Sequence, residues 1–79
     1  MDKKITGIKT DNIHERIKLL RTQSGMTLQD VAVAMGKKPS YRVRIHAWEN
    51  GSSPTYANLE LLAKVFNASV EWLISGQDE

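Results

Sequence analysis

The sequence predicts an all-α fold, a compact single domain of five short helices. Apolar residues recur at three- and four-residue steps in five separate stretches, which is the spacing of one helix face. A residue type that often caps helices, namely Asn, Thr or Ser, stands near the start of each stretch. No stretch shows the polar–apolar alternation of a strand, and 79 residues suffice for only one domain.

The first two helices are predicted from their caps and apolar stripes. Their caps are Asn12 and Thr27, each with an acidic residue three positions later, and their ends fall near Gly25 and at Gly36. The apolar stripes consist of Ile13, Ile17 and Leu20 in the first helix and of Leu28, Val31, Ala32 and Met35 in the second.

The third helix is predicted from about Ser40 to Asn50, and its surface differs from that of the others. Ile45 and Trp48, three residues apart, form a narrow apolar seam that would dock it on the core. Half of residues 37–44 are basic and none is acidic. Such a helix suits an outer face that lies against nucleic acid.

Two further helices complete the predicted domain. The fourth follows the Thr55 cap and the fifth follows the Ser69 cap. Their stripes consist of Leu59, Leu62, Ala63 and Phe66 in the fourth and of Val70, Trp72, Leu73 and Ile74 in the fifth. The domain is thus predicted to span residues 12–76, between a flexible arm at 1–11 and a short tail at 77–79.

Charge is distributed unevenly, although the net charge is only +2. Residues 1–50 carry ten Lys or Arg and five Asp or Glu, whereas residues 51–79 carry one Lys and four acidic residues. The resulting dipole favours an oriented approach to a polyanion. An ordinary solvated surface accounts for the same charges equally well.

The composition excludes several classes of protein. The absence of cysteine excludes disulfides, thiolate zinc sites and a cysteine nucleophile. There is no run of about eighteen apolar residues, so we expect a cytoplasmic protein without a membrane partner. His14 and His46 lack other metal ligands at suitable spacing. With no paired carboxylates, nucleophile–base set or phosphate loop, we expect no catalysis, cofactor or small-molecule substrate.

Several separated landmarks occur along the chain: Thr27-Leu28-Gln29-Asp30-Val31-Ala32, Gly36, Ile45-x-x-Trp48-Glu49-x-Gly51, Pro54 and Val70-Glu71-Trp72-Leu73-Ile74-x-Gly76. Together they resemble the helix-turn-helix domain of phage repressors and Cro proteins, the lambda-repressor-like or XRE family. The resemblance covers about residues 13–76 and implies that helix three enters the major groove while helix two crosses the DNA backbone. In length the chain looks like a Cro-type phage protein, because three residues after Gly76 leave no room for an effector domain.

The turn before helix three departs from the family pattern. Gly36 and Trp48 enclose eleven residues, more than the common pattern has, and the extra ones fall within residues 37–40. We therefore align helix three backward from Ile45 and Trp48, since core anchors have no freedom to slide.

Aligned in this way, the resemblance implies two sets of DNA-contacting residues. Base edges would be met by Arg42, Val43, Arg44 and Ala47, with His46 as a weaker candidate. Arg pairs bidentately with guanine, and Val or Ala meets a thymine methyl group. Phosphates would be met by Thr27, Leu28 and Gln29 at the start of helix two, and by Lys37, Lys38, Tyr41 and Asn50 around helix three.

The resemblance also implies two structural features. Arg21 and Glu49 would form an ion pair that sets the angle of helix three. The last helix, with Val70, Glu71 and Trp72, would either close the bottom of the core through Trp72 or contribute to a dimer interface.

The function implied is that of a transcriptional regulator that binds double-stranded operator DNA as a homodimer. The operator would be pseudo-palindromic, with half-sites about one helical turn, roughly 34 Å, apart. The alternative is an antitoxin-type interaction protein, whose acidic residues 51–79 would bind a toxin partner while the same chain regulates its own operon.

Overall fold

The computed structural model describes residues 12–76, and within them it contains five α-helices, one 3₁₀ turn and no strand. The helices are α1 (Ile13–Gln23), α2 (Leu28–Ala34), α3 (Arg42–Glu49), α4 (Tyr56–Phe66) and α5 (Val70–Ser75), and the 3₁₀ turn is Pro39–Tyr41. The predicted all-α class is confirmed. The predicted arm at 1–11 and tail at 77–79 lie outside the described residues.

Four of the five helices begin at a side-chain cap, as the sequence predicted. The side chains of Asn12, Thr55 and Ser69 each accept a hydrogen bond from the backbone amide three residues later. Thr27 and Asp30 form a complete capping box, in which each side chain accepts from the backbone amide of the other. These caps define the helix starts locally, before any tertiary packing.

The start of α3 differs from the prediction. The sequence suggested a helix from about Ser40, but Ser40 and Tyr41 belong to the 3₁₀ turn and the α-helix begins at Arg42. The amide of Tyr41 donates to the carbonyl of Lys38 at 2.9 Å, which closes a tighter three-residue turn. The extra residues of the enlarged turn are therefore accommodated by a 3₁₀ turn rather than by a longer helix.

Every helix contributes to one apolar core. Its buried members are Ile17, Val31, Ala32, Met35, Ile45, Trp48, Leu59, Leu62, Ala63, Trp72 and Leu73. Ile45 and Trp48 are both in this core, so the seam predicted to dock α3 does so. Burial of this seam determines which face of α3 is left outward.

A buried arginine connects α1 to α5, a contact that no pattern in the sequence predicts. Arg16 is 4% exposed, and its Nε donates to the carbonyl of Leu73 at 2.9 Å. Its Nη2 donates to the carbonyl of Ile74 at 2.8 Å, and the guanidinium lies over the ring of Trp72. These carbonyls are at the end of α5, where no helical partner is available. Burial lowers the pKa of the Arg16 guanidinium, and the hydrogen bonds compensate for part of its lost hydration.

Candidate nucleic-acid interface

The outer face of α3 is exposed and mostly basic. Arg42, Val43 and Arg44 are exposed in its first turn, and His46 is exposed in its second. Val43 is 66% exposed, which leaves a branched apolar side chain in solvent beside two arginines. Ala47 is partly buried on the same helix. The helix therefore presents side chains suited to guanine edges and thymine methyl groups together.

Two contacts from α1 attach the far end of α3 to the domain. Arg21 Nε donates to Glu49 Oε2 at 2.6 Å, and Arg21 Nη2 donates to Glu49 Oε1 at 3.0 Å. The expected ion pair is therefore present, in bidentate form. His14 Nδ1 donates to the carbonyl of Trp48 at 2.7 Å. With Ile45 also buried, these contacts define the angle at which α3 projects from the domain.

The ion pair itself is largely shielded from water. The side chain of Glu49 is 3% exposed and that of Arg21 is 16% exposed. The hydrogen bonds with Glu49 raise the pKa of the Arg21 guanidinium above its ordinary value. Because this pKa lies far above neutral pH, Arg21 stays charged there. The stability that the ion pair contributes would be lost only as pH rises through the raised pKa.

The 3₁₀ turn places one aromatic ring at the centre of a cationic cluster. Lys37 Nζ lies 5.2 Å, and the Arg44 guanidinium carbon 5.7 Å, from the centroid of the Tyr41 ring. The ring packs edge-on against Trp48, with centroids 5.9 Å apart at 74°. The Tyr41 hydroxyl accepts a hydrogen bond from Asn58 Nδ2 at 3.2 Å. The remaining lysine of the turn, Lys38, is exposed.

The other predicted phosphate contacts lie at two helix ends. Leu28 and Gln29 begin α2 directly after the Thr27 cap, and the capping box brings the carboxylate of Asp30 to the same place. Asn50 is the C-cap of α3, where its Nδ2 donates to the carbonyl of His46 at 2.8 Å. The spacing of Thr27 and Asp30 in the sequence predicted this use of Asp30, whereas the hydrogen bond from Asn50 to His46 was not predicted.

The last helix contributes more to the core than to the surface. Trp72 is 8% exposed and packs beneath Arg16, which fits the core role considered for it. Val70 is half-buried and Glu71 is exposed. Val70 also lines an open groove along α4 with Ala57, Glu60, Leu61 and Lys64. This groove, bounded by those five residues, is here called the α4 groove.

Residues 12–76 contain neither a metal-binding cluster nor a membrane-spanning helix. Within that range there is no group of three or more His, Cys, Asp or Glu side chains arranged to hold a metal ion. None of the helices described there is long and apolar enough to span a lipid bilayer.

Asn58 is the residue of this region that sequence reasoning missed. It lies on α4, seventeen residues after Tyr41, and carries no charge or motif that would single it out. Only the packing of α4 beside the 3₁₀ turn brings its side chain to the tyrosine. No pattern in the sequence signals that contact.

Comparison with known proteins agrees with this geometry. A model of the helix-turn-helix family matches residues 17–73, so the chain belongs to the helix-turn-helix family. It is a DNA-binding protein of the class that regulates transcription. Among solved structures it is similar to the P22 c2 repressor protein, crystallised in complex with synthetic operator 9T in the presence of Tl⁺. That match has 26% identity and a TM-score of 0.76, and covers 86% of this chain and 100% of that chain. A search of curated proteins found no match.

Proposed function

We propose that this protein is a transcriptional regulator that binds a pseudo-palindromic operator as a dimer, with α3 in the major groove. The observation that carries the proposal is the outward face of α3, where Arg42, Val43 and Arg44 project from a helix docked through its opposite side. Val43, which is 66% exposed, adds a branched apolar side chain to this basic face. The likeness to a repressor seen on operator DNA supports the same assignment.

The roles of the side chains on α3 follow from their chemistry. Arg42 and Arg44 would pair with guanine O6 and N7, and Val43 with thymine methyl groups. Ala47 would offer a smaller apolar contact, and His46 a weaker polar one. Such contacts select the sequence.

The surroundings of α3 would contact the DNA backbone. Phosphate contacts carry no sequence information, but they orient the protein on the duplex. The residues proposed for them are Thr27, Leu28, Gln29, Lys37, Lys38, Tyr41 and Asn50. They lie at the start of α2, in the turn that precedes α3, and directly after α3.

The α4 groove is the surface that we propose for the dimer contact. It is mainly apolar, and Val70 connects it to α5. Glu60 and Lys64 lie one helical turn apart on α4, so a two-fold axis across the groove would set Glu60 of one copy against Lys64 of the other. Opposite charges related in this way make the surface self-complementary.

Selection of binding sites from random duplexes tests the proposal directly. We expect a pseudo-palindromic consensus whose half-sites lie roughly 34 Å apart. A consensus with a single half-site would contradict the dimer, and the absence of any consensus would contradict sequence reading.

Substitution of Arg44 by Ala tests the reading role of α3. Arg44→Ala should cost about 1–3 kcal/mol of operator binding and relax the preference at one base pair, whereas Lys18→Ala on the exposed side of α1 serves as a control. Equal loss on operator and scrambled duplexes would mean that Arg44 touches only phosphate. Binding should also weaken steeply with salt, and a flat response would argue against DNA as the ligand.

No observation among residues 12–76 favours the antitoxin alternative. Glu60 and Glu71 are exposed, as carboxylates on an ordinary hydrated surface also are. A neighbouring toxin gene, or co-purification with a second chain, would favour that alternative.

A further inference from the structure

Tyr41, directly before α3, is anchored at two points. The ring packs edge-on against the buried Trp48, and Asn58 Nδ2 donates to the hydroxyl oxygen at 3.2 Å. A partly buried tyrosine hydroxyl ordinarily finds a hydrogen-bond partner. Here the partner is on α4 while the ring packs on α3, so the two ends of the side chain are held by two different helices.

The direction of the hydrogen bond from Asn58 determines whether the Tyr41 hydroxyl can still donate its own proton. A phenol has one proton to donate and lone pairs that accept. Because Asn58 donates, the hydroxyl accepts from it and keeps its own proton, for which no acceptor is found among residues 12–76. Donation to the oxygen should also make this proton a better donor, since hydrogen bonds in a chain polarise one another.

The anchored ring in turn holds two cations. Lys37 Nζ and the Arg44 guanidinium both lie within 6 Å of the ring centroid, the range of cation–π attraction. Long basic side chains lose much rotamer freedom when DNA immobilises them. A ring that already restricts them reduces that loss.

We propose that Tyr41 and Asn58 are a positioning pair for the DNA-binding surface. Asn58 orients the Tyr41 hydroxyl so that its free proton faces a phosphate oxygen, and the ring holds Arg44 ready for a base edge. The inference rests on the proposed DNA-reading role of α3. It adds Asn58 to the residues that determine DNA affinity. Asn58 lies on α4, outside α2 and α3, and acts through Tyr41.

A double-mutant cycle on the selected operator tests the pair. The variants are Asn58→Ala, Tyr41→Phe and both together, with Tyr56→Phe, the other tyrosine, as the matched control. The probes are the operator duplex and a scrambled duplex of equal length, and the measurement is binding by fluorescence anisotropy. Thermal unfolding of each variant identifies losses that come from stability alone.

Each single variant should weaken operator binding by about threefold to tenfold, as loss of one hydrogen bond does. The double variant should bind no more weakly than Tyr41→Phe alone, because Asn58 acts only through the hydroxyl. Tyr56→Phe should bind within about twofold of wild type. Independent losses that multiply in the double variant, or an Asn58→Ala variant that binds like wild type, would overturn the pair.

A second readout needs no DNA. The heteronuclear Overhauser effect at the Nε of each arginine, measured by nuclear magnetic resonance, reports how restricted that side chain is. It should be larger for Arg44 than for Arg42, which has no ring contact within the described part of the chain. Tyr41→Leu should abolish the difference. Equal values in the wild-type chain would overturn the role of the ring.

The two proposals fail in different ways. A wild-type chain that does not distinguish operator from scrambled duplex overturns the proposed function and this inference with it. A selective wild-type chain with an uncoupled cycle overturns the positioning pair alone.

Discussion

Arg21→Ala should be among the most damaging single substitutions on the surface of α1. It removes both N–H groups that bind the Glu49 carboxylate, and a third that donates to the carbonyl of Met26 at 3.1 Å. Glu49, only 3% exposed, would lose the guanidinium that pairs with its carboxylate. A buried charge left without its partner is destabilising because the hydration available at a buried site does not fully replace the lost ion pair.

The magnitude follows from the exposure of the two side chains. Removal of one partner from a fully buried pair costs about 3–5 kcal/mol. Arg21 is 16% exposed, so water should enter where it stood and reduce the penalty toward ~3 kcal/mol. A 79-residue domain has roughly 4–12 kcal/mol of total stability. The melting temperature should therefore fall by roughly 12–24 °C.

Urea denaturation measured by tryptophan fluorescence is the assay of choice. Trp48 and Trp72 are both buried, and they report on α3 and α5 respectively. The cycle of Arg21→Ala, Glu49→Ala and the double variant isolates the pair. The double variant should cost less than the sum of the single ones by about 1–3 kcal/mol, because it leaves no stranded charge.

Arg42→Ala is the matched control for this cycle. Arg42 is exposed on α3, so its removal should change the free energy of unfolding by no more than about 0.5 kcal/mol. A loss of less than about 1 kcal/mol for Arg21→Ala, or two single losses that simply add, would contradict the stabilising role of this ion pair.

Three further predictions concern other parts of the domain. Arg16→Met should cost about 2–4 kcal/mol in the same denaturation assay, because it removes the donors to two carbonyls at the end of α5; a neutral result would show that those carbonyls find other partners. Gly25→Ala and Gly76→Ala both force a side chain to φ near +70°, at about 1 kcal/mol. Gly76→Ala should cost more, since its Cβ would lie 3.0 Å from Arg16 Nη1 whereas that of Gly25 meets nothing within 4 Å, and equal losses would contradict the close approach. Glu60→Lys should weaken dimerisation in sedimentation experiments, and adding Lys64→Glu should restore it; failure of that rescue would place the dimer contact elsewhere.

The sequence alone was sufficient for the helices and their caps. The Thr27 box and the caps at Asn12, Thr55 and Ser69 join groups three residues apart, and such contacts form wherever the local chain is helical. The burial of Ile45 and Trp48 was likewise predictable. Apolar residues three apart lie on the same face of a helix, and that face is stable only against the core. The first residue of α3 was not predictable. A 3₁₀ turn and an α-helical turn differ only in whether the hydrogen bond spans three or four residues, and Pro39 and Ser40 are compatible with both.

Other features were decided by the tertiary structure. The hydrogen bond from Arg16 to Leu73 spans 57 residues, and that from His14 to Trp48 spans 34. No sequence pattern around Arg16 or His14 indicates which residue it will contact. The contact of Asn58 with Tyr41 depends in the same way on how α4 packs against the enlarged turn. Local sequence determines which helices form and which face is apolar, because those properties depend on neighbours within one or two turns. Which polar groups meet across the core depends on the relative placement of whole helices, and only the packed domain specifies that placement.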